Sequence, residues 1–286
     1  MGALLLLLDI ITQQGEAISV RAYGDRHSVG GMFFNAVICL FAMIFFFVTD
    51  KGGLCFPKEL IAYGLVSCLM FATGFYTLFV ALKHGSFVAT KLVSSFSVVM
   101  AIVYGILFLK EPASIFTYTA IGLFLVSVFM MNYTKTDSSE KKPLSVIWIV
   151  SVALMAISNG FISIISREQQ LYFDSAYDTE FMILSLGGAS LSLFIMGFIK
   201  ERSNFKYIMK HSTLYGIIAG AFNGAKNFIG LVMYLYIPIS VAVPLKIGLG
   251  FIVTFFISVL LYKERFTKLQ LCGVIIGALS IVMFNL

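Results

Sequence analysis

Phe108-Leu109-Lys110-Glu111 closes one long apolar run, and Leu261-Tyr262-Lys263-Glu264 closes another. Beyond each pair of charges a second apolar run follows, ending Ser127-Val128-Phe129-Met130-Met131-Asn132 and Ser280-Ile281-Val282-Met283-Phe284-Asn285. Residues 81–132 and 234–285 superpose without a gap, glutamate to glutamate and asparagine to asparagine. Each copy predicts a helical hairpin: a membrane span, a tight charged turn, and a second span returning. A duplicated apolar unit of this kind is the sequence mark of a transporter built from internal repeats.

Composition identifies the solvent. Of 286 residues, 59% are hydrophobic and only 12% charged, about half the charged share of a soluble globular chain. Runs of roughly 20 apolar residues, the length needed to cross the hydrocarbon core, recur throughout. These features predict a multi-pass protein of the cell membrane with no soluble domain. The formal net charge of +6 arises from basic residues in loops, so it bears on orientation and on the lipid bilayer rather than on nucleic acid. Cys39, Cys55, Cys68 and Cys272 form no CxxC or metal-like spacing, and His27, His84 and His211 fall in or beside expected loops. No metal or cofactor is called for. Residues 1–20 lack a basic start, and Asp9, Gln13, Gln14 and Glu16 interrupt the apolar run, so they predict a first membrane helix rather than a cleaved signal.

The expected spans are 2–20, 29–49, 59–82, 86–109, 114–132, 145–165, 179–199, 212–235, 238–261 and 269–286. A polar linker at 133–144 separates residues 1–132 from 145–286, with five spans on each side. Gln14-Gly15 with Ile18-Ser19 in the first helix is faintly echoed by Asn159-Gly160 with Ile162-Ser163 in the sixth. An odd number of spans per half puts the halves in opposite orientations. The expected fold class is therefore an all-α membrane protein with ten transmembrane helices in two inverted five-helix repeats.

Loops after odd-numbered spans carry Arg21, Arg26, Lys83, Lys135, Lys141, Lys142, Lys200, Arg202, Lys206, Lys210, Lys263, Arg265 and Lys268; the others carry only Lys51, Lys58, Lys110 and Arg167. The positive-inside rule then places the first group in the cytoplasm and both termini outside.

Two inverted fives, each closed by a hairpin with an acidic turn (Phe108–Glu111 and Leu261–Glu264), with Ala81-Leu82-Lys83-His84-Gly85-Ser86 before span four, resemble EamA-type members of the drug/metabolite transporter superfamily. Gln14-Gly15 stands where a tryptophan-glycine is often found in the first helix of that family. The resemblance implies ten spans and a small-molecule transporter.

Charges inside spans cost about 2.5–3.5 kcal/mol each on insertion scales, so depth decides which need a role. Lys226 lies near the middle of span eight, and Asn223 and Asn227 share its face at helical spacing. Two roles fit: lining a substrate cavity, or pairing with Asp9 or Glu16 to hold helices together. Lys91 lies about 8 Å into span four at 1.5 Å per residue, beside Ser94 and Ser95, and Lys246 lies slightly deeper in span nine. Either can snorkel to the headgroups or hold an anion. The superposition sets Lys246 opposite Val93, so the two lysines are neighbours in the repeat rather than equivalents. Triose-phosphate translocators, similar at the level of the superfamily, place anion-holding lysines in these two helices.

In the first helix Asp9, Thr12, Gln13 and Glu16 form one stripe, which must face the bundle. A carboxylate there can exchange protons as a cavity opens to each side, or neutralise a lysine. Small multidrug resistance proteins resemble this in carrying a first-helix glutamate. Gly216, Gly220 and Gly224, like Gly273 and Gly277, clear one helix face for close packing.

The expected function is a secondary transporter working by alternating access. Lys226, Asn223, Asn227, Lys91, Lys246, Ser94 and Gln13 would hold a small anionic or zwitterionic metabolite: an amino acid, organic acid or phosphorylated compound. Asp9 and Glu16 would couple transport to protons, or transport would run on a counter-substrate. A proton-coupled exporter of cationic compounds is the alternative within this class. An intramembrane enzyme is disfavoured because Asp9 is the lone aspartate in a span interior and no histidine is buried. A non-transporting scaffold is disfavoured by duplicated hairpins that retain costly lysines.

Overall fold

The computed structural model describes residues 2–27, 31–50, 52–84, 97–132, 145–260 and 267–283. Among the described residues the regular structure is helical: α1 (Gly2–Arg26), α2 (Met32–Thr49), α3 (Lys58–His84), α4 (Ser97–Leu107), α5 (Ile115–Asn132), α6 (Val146–Phe173), α7 (Asp178–Lys200), α8 (Phe205–Tyr234), α9 (Ile239–Leu260) and α10 (Lys268–Met283). Each expected span corresponds to one of these helices. The first half of span four and the 133–144 linker lie outside the described residues.

Six of the helical stretches are long and apolar enough to cross a bilayer by length and composition: 2–24, 32–49, 58–78, 146–173, 178–200 and 202–234. Shorter apolar stretches lie at 97–107, 115–127, 239–250 and 268–280. Several helices overrun the expected spans. α1 continues to Arg26, α6 to Phe173, and α8 starts at Phe205, so Arg167, Lys206, Lys210 and His211 are helical rather than in loops. The cause is that hydropathy marks the hydrocarbon, whereas the backbone hydrogen-bond ladder continues into headgroup and water until something caps it.

Two compact units emerge. One comprises Met1–Phe79 with Phe161–Met233, the other Val80–Gly160 with Tyr234–Leu286. Each draws helices from both halves of the sequence. In the first, Ala42, Phe46, Leu60, Ile165, Phe181, Met182, Leu186 and Leu231 form one buried cluster, and Ala36, Cys39, Ala189 and Leu193 join α2 to α7 in another. α8 lies against α2 through glycine: a Cβ on Gly220 would sit 2.5 Å from Phe41 Cβ and 2.8 Å from the Ile38 carbonyl oxygen, and one on Gly224 would sit 2.7 Å from Phe45 Cβ. α3 lies against α7 in the same manner, with Gly188 facing Cys68 and Gly64 facing Leu184. With hydrocarbon outside as well as inside, close backbone approach is what holds such helices together.

In the second unit α5 packs on α10 and α4 on α9. Ser127 Oγ donates to the Gly273 carbonyl at 2.7 Å, and a Cβ on Gly277 would lie 2.5 Å from Ser127 Oγ. The acidic turn has a structural task here. Lys110 takes a left-handed φ of 53°, and Glu111 N–H bonds the Gly105 carbonyl at 3.1 Å. Glu111 Oε1 and Oε2 then accept the N–H groups of Ile239 and Ser240, each at 2.9 Å. A turn from the first half thus caps a helix of the second, meeting donors that an α-helix leaves orphaned.

Glu201 does the reciprocal in the first unit. It follows α7, and its carboxylate accepts N–H groups of Gly31 (3.0 Å), Met32 (3.1 Å) and Phe33 (3.3 Å) at the start of α2.

Candidate functional site

The α1 stripe turns inward. Asp9 is fully buried and Gln14 nearly so, while Leu4, Leu7, Leu8, Ile11 and Ile18 are exposed on the opposite side. This is the inverse of a soluble amphipathic helix, because lipid rather than water bathes the outside. Thr12 spends its hydroxyl on the Leu8 and Asp9 carbonyls at 3.0 and 2.9 Å. Gln13 Oε1 is buried with no hydrogen-bond partner among the described residues.

Glu16, one turn further, meets Lys226. Lys226 Nζ contacts Glu16 Oε2 in an ion pair whose side chains are 21% and 17% exposed. Asn223 Nδ2 donates to Glu16 Oε1 at 2.7 Å, so both carboxylate oxygens are engaged. Asn227 Nδ2 donates in turn to Asn223 Oδ1 at 2.8 Å and to the Asn223 carbonyl at 3.0 Å. Asn223, Lys226 and Asn227 stand at i, i+3, i+4 on α8, and α1 supplies the acid. Gly15 makes the approach of the helices possible, since a Cβ there would lie 2.6 Å from the Phe222 ring.

Of the two carboxylates that could meet Lys226, the partner is Glu16. α8 begins earlier than expected, which moves Lys226 off the helix centre. It stands eight residues from Tyr234, about 12 Å from that end at 1.5 Å per residue. A lysine stem spans only about one turn of helix, roughly 5.4 Å, so snorkelling does not reach water. The charge is met inside the protein.

The other expected site residues divide. Lys91 and Ser94, with Ser95, lie outside the described residues. Lys246 is half-buried on α9, within the second unit. The cluster on the page is therefore Glu16, Asn223, Lys226 and Asn227, with Gln13 one turn from Glu16.

A second polar network closes the other end of the first unit. Gln169 and Gln170, both buried, donate to Asp178 Oδ1 and Oδ2 at 2.5 and 2.8 Å, and Gln170 Nε2 also reaches the Leu231 carbonyl at 3.0 Å. Glu180 Oε1 accepts the Cys55 N–H at 3.2 Å. Sequence reading passed over these residues, and over Glu201, because they fall where hydropathy ends and a loop is assumed. The glutamine pair immediately before a turn was the available signal.

Residues 1–133 and again 146–286 match the EamA-like transporter family. A solved crystal structure of another protein aligns at a TM-score of 0.75, covering 99% of this chain and 98% of that one. Its sequence is 12% identical, so that likeness speaks for the fold alone. Among curated proteins none matches. With the family matched across both halves of an apolar chain whose described residues are largely helical, the protein belongs to the EamA-like transporter family and is a multi-pass membrane transporter of the drug/metabolite transporter superfamily.

Proposed function

We propose that the protein is a secondary transporter of the cell membrane that moves a small anionic or zwitterionic metabolite by alternating access. Ten spans form two inverted five-helix repeats, residues 1–132 and 145–286. Packing in the first unit supports the inversion, because its contacts come in exchanged pairs. α1 meets α8 at Gly15 and Phe222, and α6 meets α3 at Phe173 and Tyr63. α8 meets α2 as α7 meets α3, and α2 packs on its own counterpart α7. A two-fold relation between the repeats produces this pattern, and five spans per repeat would set that axis in the membrane plane.

The observation that carries the substrate class is the Glu16–Lys226 pair. Lys226 carries one positive charge, so it can neutralise Glu16 or a substrate anion, not both. An attraction of roughly 4 kcal/mol at 4 Å and an effective dielectric of 20 must be replaced when an anion takes Lys226. Glu16 is then stranded unless it is neutralised. A proton does this, which makes the anion travel with a proton; the ammonium of a zwitterion does it too. Asn223 and Asn227 hold the two side chains in register for the exchange.

Asp9 lies two turns from Glu16 on the same stripe and is fully buried. That burial favours a second role for the stripe, as the proton path of a cation exporter. The two readings part on Glu16→Gln in proteoliposomes. For an anion carrier, this variant leaves Lys226 free: counterflow exchange continues while accumulation driven by a proton gradient disappears. A wild type that exchanges a cation and no anionic or zwitterionic compound, with that exchange abolished in a folded Glu16→Gln variant, would establish the exporter instead.

A further inference from the structure

At the end of the first unit where α1 finishes and α8 begins, a second cluster of basic side chains converges that the transport site does not use. Arg26 Nη1 donates to the Tyr215 hydroxyl at 2.7 Å. His27 Nδ1 and the Tyr207 hydroxyl are 2.9 Å apart, and the His27 and His211 rings lie 5.0 Å apart between centroids. His211 Nδ1 bonds the Tyr207 carbonyl at 2.9 Å. Since a carbonyl only accepts, this nitrogen carries the proton. Tyr23 stacks on Phe34 at 4.1 Å and leans on His27 at 5.2 Å and Tyr215 at 5.9 Å, fixing the frame from below.

We propose that Arg26, His27 and His211 bind a phosphate-bearing anion, either a lipid headgroup or free phosphate. The tyrosines orient Arg26 and the two imidazoles while leaving polar ring and guanidinium atoms unused. Both hydrogen bonds to the imidazoles go through Nδ1, so among the described residues each Nε2 remains open, as do the other N–H groups of the exposed guanidinium. As imidazolium, both rings donate from Nε2, and a guanidinium adds the fork that suits phosphate oxygens. Glu201 is already committed: both of its carboxylate oxygens serve the first N–H groups of α2. Lys206 and Lys210, exposed on the first turns of α8, extend the same sign. Aromatic residues at the water end of a span, with basic groups between helices, are the setting in which headgroup phosphates are held.

The test is binding, independent of transport. Purified protein is offered short-chain phosphatidic acid and phosphatidylcholine of equal chain length, read by native mass spectrometry, and inorganic phosphate, read by calorimetry. In the wild type, phosphatidic acid should bind about tenfold or more tightly than phosphatidylcholine, and the Arg26→Gln/His211→Gln variant should lose that preference, as expected when charge-assisted hydrogen bonds are removed. Saturable binding of inorganic phosphate with the same loss identifies a soluble anion as a ligand; its absence identifies the lipid alone. Tyr215→Phe, which removes only the hydroxyl orienting Arg26, should weaken binding part of the way and tells against misfolding as the cause. Equal binding by wild type and double variant, or an equal loss in Lys58→Gln, overturns the proposal.

Discussion

Lys226 shows how a single residue's role depends on where its charge is met. Its Nζ is held by Glu16, and Glu16 by Asn223. Lys226→Gln therefore strands a mostly buried carboxylate and should lower stability by about 3 kcal/mol, the low end of the range for breaking buried pairs. Glu16→Gln strands the lysine and should cost a similar amount. The double variant Glu16→Gln/Lys226→Gln keeps the shapes and removes both charges, so its loss should fall well below the sum of the singles. Chemical or thermal denaturation of the four proteins in detergent gives the coupling. A strictly additive double variant would mean that the pair does not carry the charge balance of the site.

Helices in this chain are held by close approach and by caps rather than by an apolar core excluded from water. Gly220 of α8 sits where a Cβ would be 2.8 Å from a backbone oxygen of α2, which cannot swing aside. Gly220→Ala should cost about 1–3 kcal/mol as overpacking. Gly122→Ala in α5, where nothing lies within 4 Å of the added carbon, should be neutral or gain up to about 1 kcal/mol from helix propensity. Melting temperatures of the two variants decide, and equal effects would refute the packing account.

Glu111 is the second element-scale case. Removing the acceptor of two N–H groups at the start of α9 by Glu111→Ala should destabilise by about 0.5–2 kcal/mol. Glu111→Gln, whose amide oxygen still accepts one bond, should recover part of that. Amide hydrogen exchange at Ile239 and Ser240 reports the cap directly, and unchanged protection in Glu111→Ala would show that the bonds contribute nothing.

For the whole molecule the open quantity is orientation, and the basic residues predict it. With Ser203 after α7 and Cys55 before α3 on opposite faces, a protein whose only thiol is Cys55 should react with an impermeant maleimide in intact cells. One whose only thiol is Ser203→Cys should react only after permeabilisation. Cys55 and Ser203 are both exposed, so accessibility does not confuse the comparison. The reverse labelling would invert the topology.

What the chain alone determined is the solvent and the list of helices. Twenty apolar residues in a row have one stable fate in hydrocarbon, because every backbone donor must be met within the segment. The polar stripe of α1 was legible for the same reason: Asp9, Gln13 and Glu16 could not face lipid. The glycine stripe of α8 likewise announced a close neighbour. Which neighbour, and which carboxylate meets Lys226, was decided only by tertiary structure. Asp9 and Glu16 share one face of α1, so spacing cannot choose between them. The choice rests on the axial offset of α1 against α8, set by Phe222 seated over Gly15, and only that offset brings Glu16 level with Lys226. The acidic turn was visible as a motif, yet its task was not, because the N–H groups of Ile239 and Ser240 lie far away in sequence and are brought within 2.9 Å by the packing of α4 on α9.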